Sequence, residues 1–286
     1  MNKQDFINAV NKFDTHSEAE KRIAEYFMAH YAVLPFSKID ELCKQIGVGK
    51  ATLGRFLQRL GFSGFIQFKK QVTDDLTQIL TTPIERYEYH TTDPTQGSTK
   101  GVLANHYCEV MDNMEKTFEA LSEQDFDEAI HIMREPKGKL YVMGSASSEA
   151  LASYFYLLAR YLRKDVVLLK ADISTLPHQL VDVCEDDILF AISYHRFSNI
   201  TVKLVRWFHE SGGRIIVVTD QPVNPFVAYS NVQFSVESAG NGFFNNRAAG
   251  FALIEALIKG LSQHKEKDNR FNRIEGLFDE FSIFKT

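Results

Sequence analysis

Cysteine is scarce in this sequence of 286 residues, which contains only Cys43, Cys108 and Cys184. The three residues are far apart and odd in number, which argues against a disulfide framework and against a zinc site. We therefore expect a chain from a reducing compartment that uses neither a metal ion nor another cofactor.

Long apolar runs are absent as well. The longest ones, such as VVLL and ILFAIS, are far too short to cross a bilayer. The N-terminal segment MNKQDFINAVNKF has no apolar stretch of the kind that a secretory signal contains. We expect a cytoplasmic protein without a membrane partner.

The sequence also has no overall excess of positive charge, since its formal net charge is −5. Averaged over the chain, this value disfavours a nucleic-acid partner. Residues 37–72, however, contain seven Lys or Arg and two Asp or Glu, a local charge of +5 that leaves −10 for the remainder. Such an asymmetry is expected when one part of a chain contacts a polyphosphate. A solvated helix pair rich in Lys and Arg would give the same charge pattern.

The basic segment has the pattern of a helix, a tight turn and a second helix. Ser37 is the predicted N-cap of the first helix, which ends at Gly47, where a positive φ is expected. The second helix runs from about residue 50 to 60 and ends at Gly61. One of its faces is apolar and predicted to pack, and the opposite face carries Ala51, Thr52, Arg55, Gln58 and Arg59. A helix-turn-helix places such a polar face in the major groove of DNA.

This polar face supplies the predicted DNA contacts. Arg55 is suited to bidentate hydrogen bonding with a guanine edge, and Lys50 and Thr52 lie near the helix start, where phosphates and bases are contacted. The full predicted set is Lys50, Thr52, Arg55, Gln58, Arg59 and Ser63. A small helical bundle with a charged exposed face is the alternative interpretation of the same periodicity.

The stretch FSKIDELCKQIGVGKATLGRFLQRLGFSGFIQFKKQV resembles the N-terminal domain of the RpiR/MurR family of bacterial transcription regulators. The motifs ATLGRF, LGFSGF and the following FK carry the resemblance, which extends over about residues 1–80. Gly49 departs from the family pattern, which usually has a serine there as the helix cap, but glycine is itself tolerated at an N-cap. The resemblance implies a DNA-binding helix-turn-helix domain over residues 1–80.

The remainder divides into a connecting segment and an α/β domain. Residues 81–121 are predicted to be a linker, rich in Thr, Pro, Gly and Ser up to about residue 100, followed by a connecting helix. Residues 122–286 alternate strands predicted at 140–143, 166–169, 188–193, 214–218 and 232–236 with helices predicted at 148–163, 174–183, 199–211 and 246–262. This alternation predicts a parallel sheet covered on both faces. The predicted fold class is α/β, preceded by an all-α helix-turn-helix domain.

Polar turns follow two of the predicted strands. The first strand runs into the segment 144–148, GSASS, and the third into the segment 193–198, SYHRFS. A turn of small and hydroxyl residues at a helix N-terminus is a natural anion site, although Ser and Gly also suit helix capping. The carboxyl ends of parallel strands are where open α/β sheets place ligands.

The two turns resemble those of the SIS (sugar isomerase) domain, a flavodoxin-like sandwich that follows the helix-turn-helix in RpiR-type regulators. The resemblance covers about residues 120–263. The first loop of that fold has the pattern GxGxS, which corresponds here to GSASS. The second usually has the pattern SxSGxT, but His195 and Arg196 replace its Ser-Gly pair and Ser198 replaces its Thr. The resemblance further implies that the segment 240–247 contributes to the ligand pocket, with asparagines where a serine is frequent beside Arg247.

The departure in the second loop leaves the role of Arg196 open. Its guanidinium could hold an anion, fill the pocket, or pair with an acid such as Glu149 or Glu237. We favour an anionic small ligand with altered selectivity. The predicted effector-binding residues are Gly144, Ser145, Ser147, Ser148, Ser193, His195, Arg196, Ser198 and Glu237.

These features predict a bacterial transcription regulator of carbohydrate metabolism that binds double-stranded operator DNA as a homodimer or homotetramer. A sugar phosphate or related anionic metabolite would be its effector, and no enzymatic activity is expected. One alternative is a SIS-type phosphosugar isomerase with a helical appendage, in which Glu237 would be the base and His195 would assist ring opening. The other is a DNA-binding regulator whose SIS domain only oligomerises.

Overall fold

The structure is a computed structural model of the chain. The described residues are 3–10, 13, 15, 17–31, 34, 37–69, 72, 84, 99–135, 137–170, 172, 174–240, 242–263 and 269–284. The chain divides into two compact units, residues 1–92 with 222–228 and residues 93–221 with 229–286. The predicted linker at 81–100 lies outside the described residues except for Ile84, Thr99 and Lys100.

The first unit contains a small helical bundle around an aromatic core. Its helices are α1 (Lys3–Val10), α2 (Glu18–Ala29), α3 (Ile39–Ile46) and α4 (Lys50–Arg59). Phe6, Phe27, Phe56 and Phe68 are fully buried, and the ring centres of Phe27 and Phe68 are 5.4 Å apart. Because Phe27 lies on α2 and Phe56 on α4, this core fixes α4 against α2.

The start of α3 differs from the sequence prediction. The N-cap is Lys38, with extended backbone and no capping hydrogen bond from its side chain, so the prediction of Ser37 was wrong. Ser37 belongs to the preceding turn, because its N–H donates to the Leu34 carbonyl at 3.2 Å and its own carbonyl accepts from Lys69 Nζ at 3.3 Å. The predicted turn at Gly47 is confirmed, since its φ of 71° is in the left-handed region that favours glycine.

The second unit begins with two helices and continues as an alternation of strands and helices. The two helices are α5 (Val102–Ala120) and α6 (Glu123–Arg134). They are followed by β1 (Leu140–Gly144), α7 (Ser148–Leu162), β2 (Val166–Leu169), α8 (Leu176–Leu180), β3 (Ile188–Ile192), α9 (Asn199–Glu210), β4 (Arg214–Thr219), β5 (Val232–Ser235), α10 (Ala248–Ser262) and α11 (Arg270–Glu280).

The five strands form one parallel sheet in the order β2-β1-β3-β4-β5. Every residue of β1 and β3 is buried. Since successive residues of a strand point to opposite faces, this unbroken burial means that both faces of the sheet are covered. The chain leaves β1 toward β2 and later returns to β3 on the other side, so the order reverses between β1 and β3. Open α/β sheets bind ligands at such a switch point.

The α/β prediction is confirmed, and one helix is shorter than expected. The helix predicted at 174–183 covers only Leu176–Leu180. The residues before it are held in a turn instead, because the Asp172 carboxylate accepts hydrogen bonds from the hydroxyls of Ser174 at 2.6 Å and Thr175 at 3.0 Å. Among the described helices, none is both long enough and apolar enough to span a membrane.

Candidate functional site

Helix α4 has the two faces that its sequence predicts. Leu53, Phe56 and Leu57 are buried in the aromatic core of the first unit. The opposite face is open to solvent, with Thr52 half-buried and Ala51, Arg55, Gln58 and Arg59 exposed. A helix that is fixed on one side and polar on the other can enter a DNA groove without distorting the unit that carries it.

Arg59 is held within the first unit. Its guanidinium donates to Glu20 Oε1 at 2.6 Å and to the Thr15 carbonyl at 3.2 Å, and it lies 4.2 Å from the centre of the Phe13 ring. The pKa of Glu20 is below its ordinary value because the Ser17 backbone N–H and Arg59 both hydrogen-bond to its carboxylate. These contacts show that Arg59 joins α4 to the segment that enters α2.

Arg55 has a different environment. Within the described part of the chain, no carboxylate lies within ion-pair distance of its guanidinium. Lys50 forms an exposed ion pair of 2.5 Å with Asp40, and Ser63 is exposed, with its backbone N–H donating to the Gln67 side chain. An open groove of about 560 Å³ runs beside Arg55 and is lined by Ser17, Glu20, Thr52, Arg55, Gln58 and Arg59.

The first polar turn of the second unit connects β1 to α7. Gly144 allows a close approach there, since a Cβ atom at this position would lie 2.3 Å from the Ser148 carbonyl oxygen. The Ser145 hydroxyl lies 3.2 Å from that of Thr201, which belongs to the first turn of α9. The turn after β1 therefore contacts the helix that follows β3. Ser147 is the N-cap of α7 but its side chain makes no capping hydrogen bond.

The second polar turn connects β3 to α9. Ser193 is buried, and its N–H donates to the Val218 carbonyl at 2.9 Å. Arg196 is exposed and has a φ of 62°, a left-handed conformation that costs a non-glycine residue about 1 kcal/mol. This conformation accounts for the glycine that the SIS pattern has at the same place. Ser198 is the N-cap of α9, again without a capping bond from its side chain.

A buried carboxylate organises the far side of the same edge of the sheet. Asp220 follows β4, and its side chain is fully buried. Asp220 Oδ1 accepts from the His195 N–H at 2.6 Å, while Oδ2 accepts from the Ser238 hydroxyl at 2.6 Å and lies 3.1 Å from His195 Nδ1. Asn245 Nδ2 lies 3.0 Å from both His195 Nδ1 and Ser238 Oγ. Nδ1 of His195 is thus taken up by this network, which leaves Nε2 for another partner.

These hydrogen bonds decide the charge of Asp220. Burial by itself would raise the pKa of this carboxyl, but the hydrogen bonds from His195 and Ser238 lower it below its ordinary value. Asp220 is therefore an anion at neutral pH, and it stabilises the fold in that form.

We expect Asp220→Asn to lower the free energy of unfolding by about 2 kcal/mol at pH 7, because it removes the buried charge and weakens the hydrogen bonds that Asp220 accepts. The folded-state pKa lies below that of the unfolded chain, so this contribution is complete above the unfolded value of about 4 and is lost as the pH falls through the folded value. Urea unfolding at pH 7 and near pH 3.5 measures it. The control is Asp127→Asn at an exposed position. If the free energy of unfolding lost in Asp220→Asn were the same at both pH values, the assignment of Asp220 as a stabilising anion would be wrong.

Arg247 joins the two halves of the site. Its guanidinium lies 3.8 Å from the centre of the Tyr194 ring, donates through Nη2 to Ser147 Oγ at 3.4 Å, and places Nη1 4.0 Å from Asp220 Oδ2. Burial lowers the pKa of Arg247, and the nearby Tyr194 and Asp220 oppose that effect. Several buried polar atoms here have no hydrogen-bond partner among the described residues, namely Arg247 Nε and Nη1, Asn245 Oδ1, Asn246 Nδ2 and the Tyr194 hydroxyl.

The structure brings together most of the sequence-predicted effector residues but not Glu237. The two polar turns lie at the carboxyl ends of the adjacent strands β1 and β3. Glu237 follows the edge strand β5, is exposed, and its backbone N–H donates to Thr117 Oγ1 of α5 at 2.8 Å. Over the described ranges, no group of three or more His, Cys, Asp and Glu side chains is arranged to hold a metal ion.

Two residues central to this site were absent from the predicted set. Asp220 directly follows β4, so the rule that ligand groups lie at the carboxyl ends of parallel strands applied to it as well. Arg247 is the N-cap of α10, and the resemblance pointed only to its segment. Nothing local in the sequence indicated that it would stack on Tyr194.

Comparisons with known proteins agree with both halves of the chain. The model of the helix-turn-helix domain of the rpiR family matches residues 7–79, and the SIS domain model matches residues 132–260. An uncharacterized HTH-type transcriptional regulator of Clostridium perfringens is 22% identical over 223 residues, which is 78% of each chain.

Two solved structures share the fold. The sugar isomerase domain of an RpiR transcription factor from Sphaerobacter thermophilus has a TM-score of 0.57 at 17% identity and covers 63% of this chain and 99% of its own. NanR of Vibrio vulnificus, in a complex with ManNAc-6P, has a TM-score of 0.55 at 13% identity, and the match covers 96% of this chain and 98% of NanR. With an rpiR-family helix-turn-helix domain followed by a SIS domain, the chain belongs to the RpiR family.

Proposed function

We propose that this chain is a bacterial DNA-binding regulator of carbohydrate metabolism whose SIS domain binds a sugar phosphate or a related anionic metabolite. The observation that carries the proposal is the meeting of two polar turns at the β1/β3 switch point beside Arg247, whose buried Nε and Nη1 have no hydrogen-bond partner in the described part of the chain. The proposal includes a cytoplasmic location and a homodimer or homotetramer, since helix-turn-helix proteins bind two half-sites as dimers.

Three kinds of donor support an anionic ligand at the switch point. Helix α9 begins there without a side-chain cap, so N–H groups of its first turn are available to an anion. In α7 the N–H groups of Ser148 and Glu149 already donate to the Ser145 and Ala146 carbonyls. The hydroxyls of Ser145 and Ser147 lie in the polar turn between β1 and α7. Arg247 adds a guanidinium, whose forked donors match phosphate and carboxylate groups. The complex of NanR with ManNAc-6P supports a phosphorylated sugar as the first class to test.

The second polar turn departs from the SxSGxT pattern of the SIS fold, so we propose that it contacts its ligand in a different way. His195 is fixed through Nδ1 by Asp220, so Nε2 can face a sugar hydroxyl or an anionic oxygen. Arg196 occupies the glycine position of the pattern with its side chain exposed, where it can close over an anion at the mouth of the site. We propose that these two residues alter the selectivity of the site rather than block it.

The DNA-binding half of the proposal depends on α4. Its exposed face presents Arg55, which has no carboxylate partner among the described residues, while Arg59 is held by Glu20 and Lys50 is paired with the exposed Asp40. Arg55 is therefore the cation that is freest to contact a base edge. Surface ion pairs such as Lys50–Asp40 contribute little, so Lys50 can exchange its carboxylate for a phosphate.

We expect Arg55→Ala to lower the affinity for a duplex that the wild-type chain selects from a random library by about 10- to 100-fold. The reason is the loss of one bidentate contact to guanine, which contributes about 1–3 kcal/mol of discrimination. The base preference should relax at a single position of the site. Gel-shift titration measures both effects.

The control is Arg273→Ala, which removes the same charge from α11 of the second unit. Unaltered affinity and specificity in Arg55→Ala would remove Arg55 from the DNA contact. The salt dependence of the same titration separates a regulator from an isomerase with a helical appendage. Phosphate contacts release counterions, so a regulator loses affinity steeply as the salt concentration rises.

The isomerase alternative draws support from the Asp220–His195 pair, which resembles an acid–base pair held in a crevice. We nevertheless propose that the chain is not an enzyme. The carboxylate that would act as the base, Glu237, is exposed beyond β5, and its backbone is bonded to α5 rather than to the crevice residues. A base must lie within hydrogen-bonding reach of the proton that it removes.

A further inference from the structure

Arg55 and Arg59 lie four residues apart on α4, so their side chains are neighbours on its exposed face. Both line the open groove of the first unit, together with Glu20 from the first turn of α2. Arg55 has no carboxylate within ion-pair distance among the described residues, whereas Arg59 Nη1 donates to Glu20 Oε1 at 2.6 Å. Of two neighbouring cations, the structure therefore fixes the one nearer the end of α4.

The carboxylate of Glu20 is itself held in place by the start of α2. Glu20 Oε2 accepts from the Ser17 N–H at 2.8 Å and from the Ser17 hydroxyl at 3.0 Å, while the Glu20 N–H donates to Ser17 Oγ at 3.3 Å. These bonds form a capping box. The Glu20 side chain is only 14% exposed. Its second oxygen, Oε1, is thereby presented to Arg59 in one orientation.

Two further contacts restrict the Arg59 guanidinium. Nη2 donates to the Thr15 carbonyl at 3.2 Å, and the guanidinium lies 4.2 Å from the centre of the Phe13 ring. That ring is in turn packed edge-on against the buried Phe56, with 6.3 Å between the ring centres. A carboxylate, a carbonyl and an aromatic ring together fix both the position and the plane of the guanidinium.

This arrangement leaves donors of Arg59 for a ligand in the groove. A guanidinium has five N–H groups, and the bonds to Glu20 and Thr15 use two of them. The others have no hydrogen-bond partner among the described residues, and 41% of the side chain is exposed. The Lys50–Asp40 pair is different, since it is a single contact between side chains that are 60% and 71% exposed. Such a pair leaves the lysine free to move.

We propose that Glu20 is a positioning residue for DNA recognition, which acts by holding Arg59 in one orientation in the groove beside Arg55. A mobile cation is attracted to the phosphates of any duplex, whatever its sequence. A cation that is held, and whose charge is offset by a carboxylate, contributes only where its remaining donors meet acceptors in the matching place. Glu20 thus raises the ratio of specific to non-specific affinity. The inference rests on the DNA binding proposed above.

The test is Glu20→Gln in the full chain. Glutamine also serves in a capping box, so the start of α2 is retained, but its amide has no charge to hold Arg59. Fluorescence anisotropy gives the Kd for a duplex that the wild type selects from a random library and for a scrambled duplex of the same composition. We expect the affinity for the selected duplex to fall about 3- to 10-fold, because binding must then order a rotamer-rich side chain. The scrambled duplex should bind at least as tightly as before.

The matched control is Glu18→Gln, which removes the same charge from the first turn of α2. Glu18 is 85% exposed and is paired with Lys21 rather than with α4. We expect the ratio of the two affinities to stay within about twofold of the wild type, since an exposed pair contributes little. A loss of folded protein would lower both affinities together and leave their ratio unchanged. In an Arg59→Ala background, Glu20→Gln should have no further effect on the ratio.

Arg59→Lys keeps the proposal testable if Glu20→Gln folds poorly. Lysine retains the charge and leaves the capping box intact but lacks the planar fork, so we expect the ratio to fall as in Glu20→Gln. A ratio that either variant leaves unchanged, an equal fall in Glu18→Gln, or a further fall when Glu20→Gln is added to Arg59→Ala would overturn the inference alone. A wild type that selects no duplex would overturn the proposed DNA binding and the inference with it.

Discussion

Gly144→Ala is expected to lower the free energy of unfolding of the SIS domain by about 3 kcal/mol, at the upper end of the usual range for overpacking. The added methyl group would lie 2.3 Å from the Ser148 carbonyl oxygen and 3.0 Å from Cβ of Ala152. Ser148 begins α7, so its backbone can move only if the whole helix withdraws from β1. The same movement would open the first turn, and we expect ligand affinity to fall with stability. Urea unfolding measures the first effect.

The control for this substitution is Gly242→Ala. A Cβ atom at Gly242 would have no neighbour within 4 Å, so its effect should stay within about 0.5 kcal/mol. If Gly144→Ala were as stable as this control, α7 would not approach β1 as closely as described, and the geometry of the first turn would have to be revised.

Arg247→Met is expected to weaken the binding of a hexose 6-phosphate at least about 100-fold, because two charge-assisted hydrogen bonds to an anion contribute about 1.5–3 kcal/mol each. Methionine keeps an apolar side chain of similar length over the Tyr194 ring, so the packing of the site is largely retained. What is lost are the donors Nε and Nη1, which have no other hydrogen-bond partner in the described structure. Isothermal titration with a panel of hexose 6-phosphates, ManNAc-6P and inorganic phosphate measures the loss.

Two further variants test the two cations of the site separately. Arg247→Lys keeps the charge without the fork and should have intermediate affinity. Arg196→Ala removes the exposed cation of the second turn, and we expect a loss of about tenfold, because an exposed charge pair is weaker than a desolvated one. Wild-type affinity in Arg247→Met would show that the anion binds elsewhere. If the wild-type chain binds no member of the panel, a SIS domain that only oligomerises is favoured.

The sheet was predictable from the sequence because its strands are short, continuous β-branched runs between amphipathic helices. Each predicted strand agrees with the observed one to within one residue at either end. The turns at Gly47 and Gly61 were predictable because both have a positive φ that favours glycine. The start of α3 was not, because a long-range contact decides it: the Ser37 carbonyl binds Lys69, 32 residues further along.

The candidate site was predictable in position but not in composition. The turns after β1 and β3 follow from the rule for parallel sheets, and both lie at the switch point. Asp220 and Arg247 belong to the site through contacts with His195 and Ser147 that span 25 and 100 residues. No local pattern specifies such contacts. Arg59 stays a predicted DNA contact, and its contacts with Glu20 and Phe13 likewise could not be predicted from its helical position.

We propose that an anion bound in the β1/β3 crevice changes how α4 binds DNA. The ligand can do so only if it has different affinities for the two states of the protein. The most direct measurement is fluorescence anisotropy of a library-selected duplex with the full chain, with and without the hexose 6-phosphate that binds best. We predict a severalfold change in the DNA Kd for the wild type, and no change for Arg247→Met at unaltered basal affinity. A duplex affinity that ignores every sugar phosphate, or a shift that persists in Arg247→Met, would contradict the account.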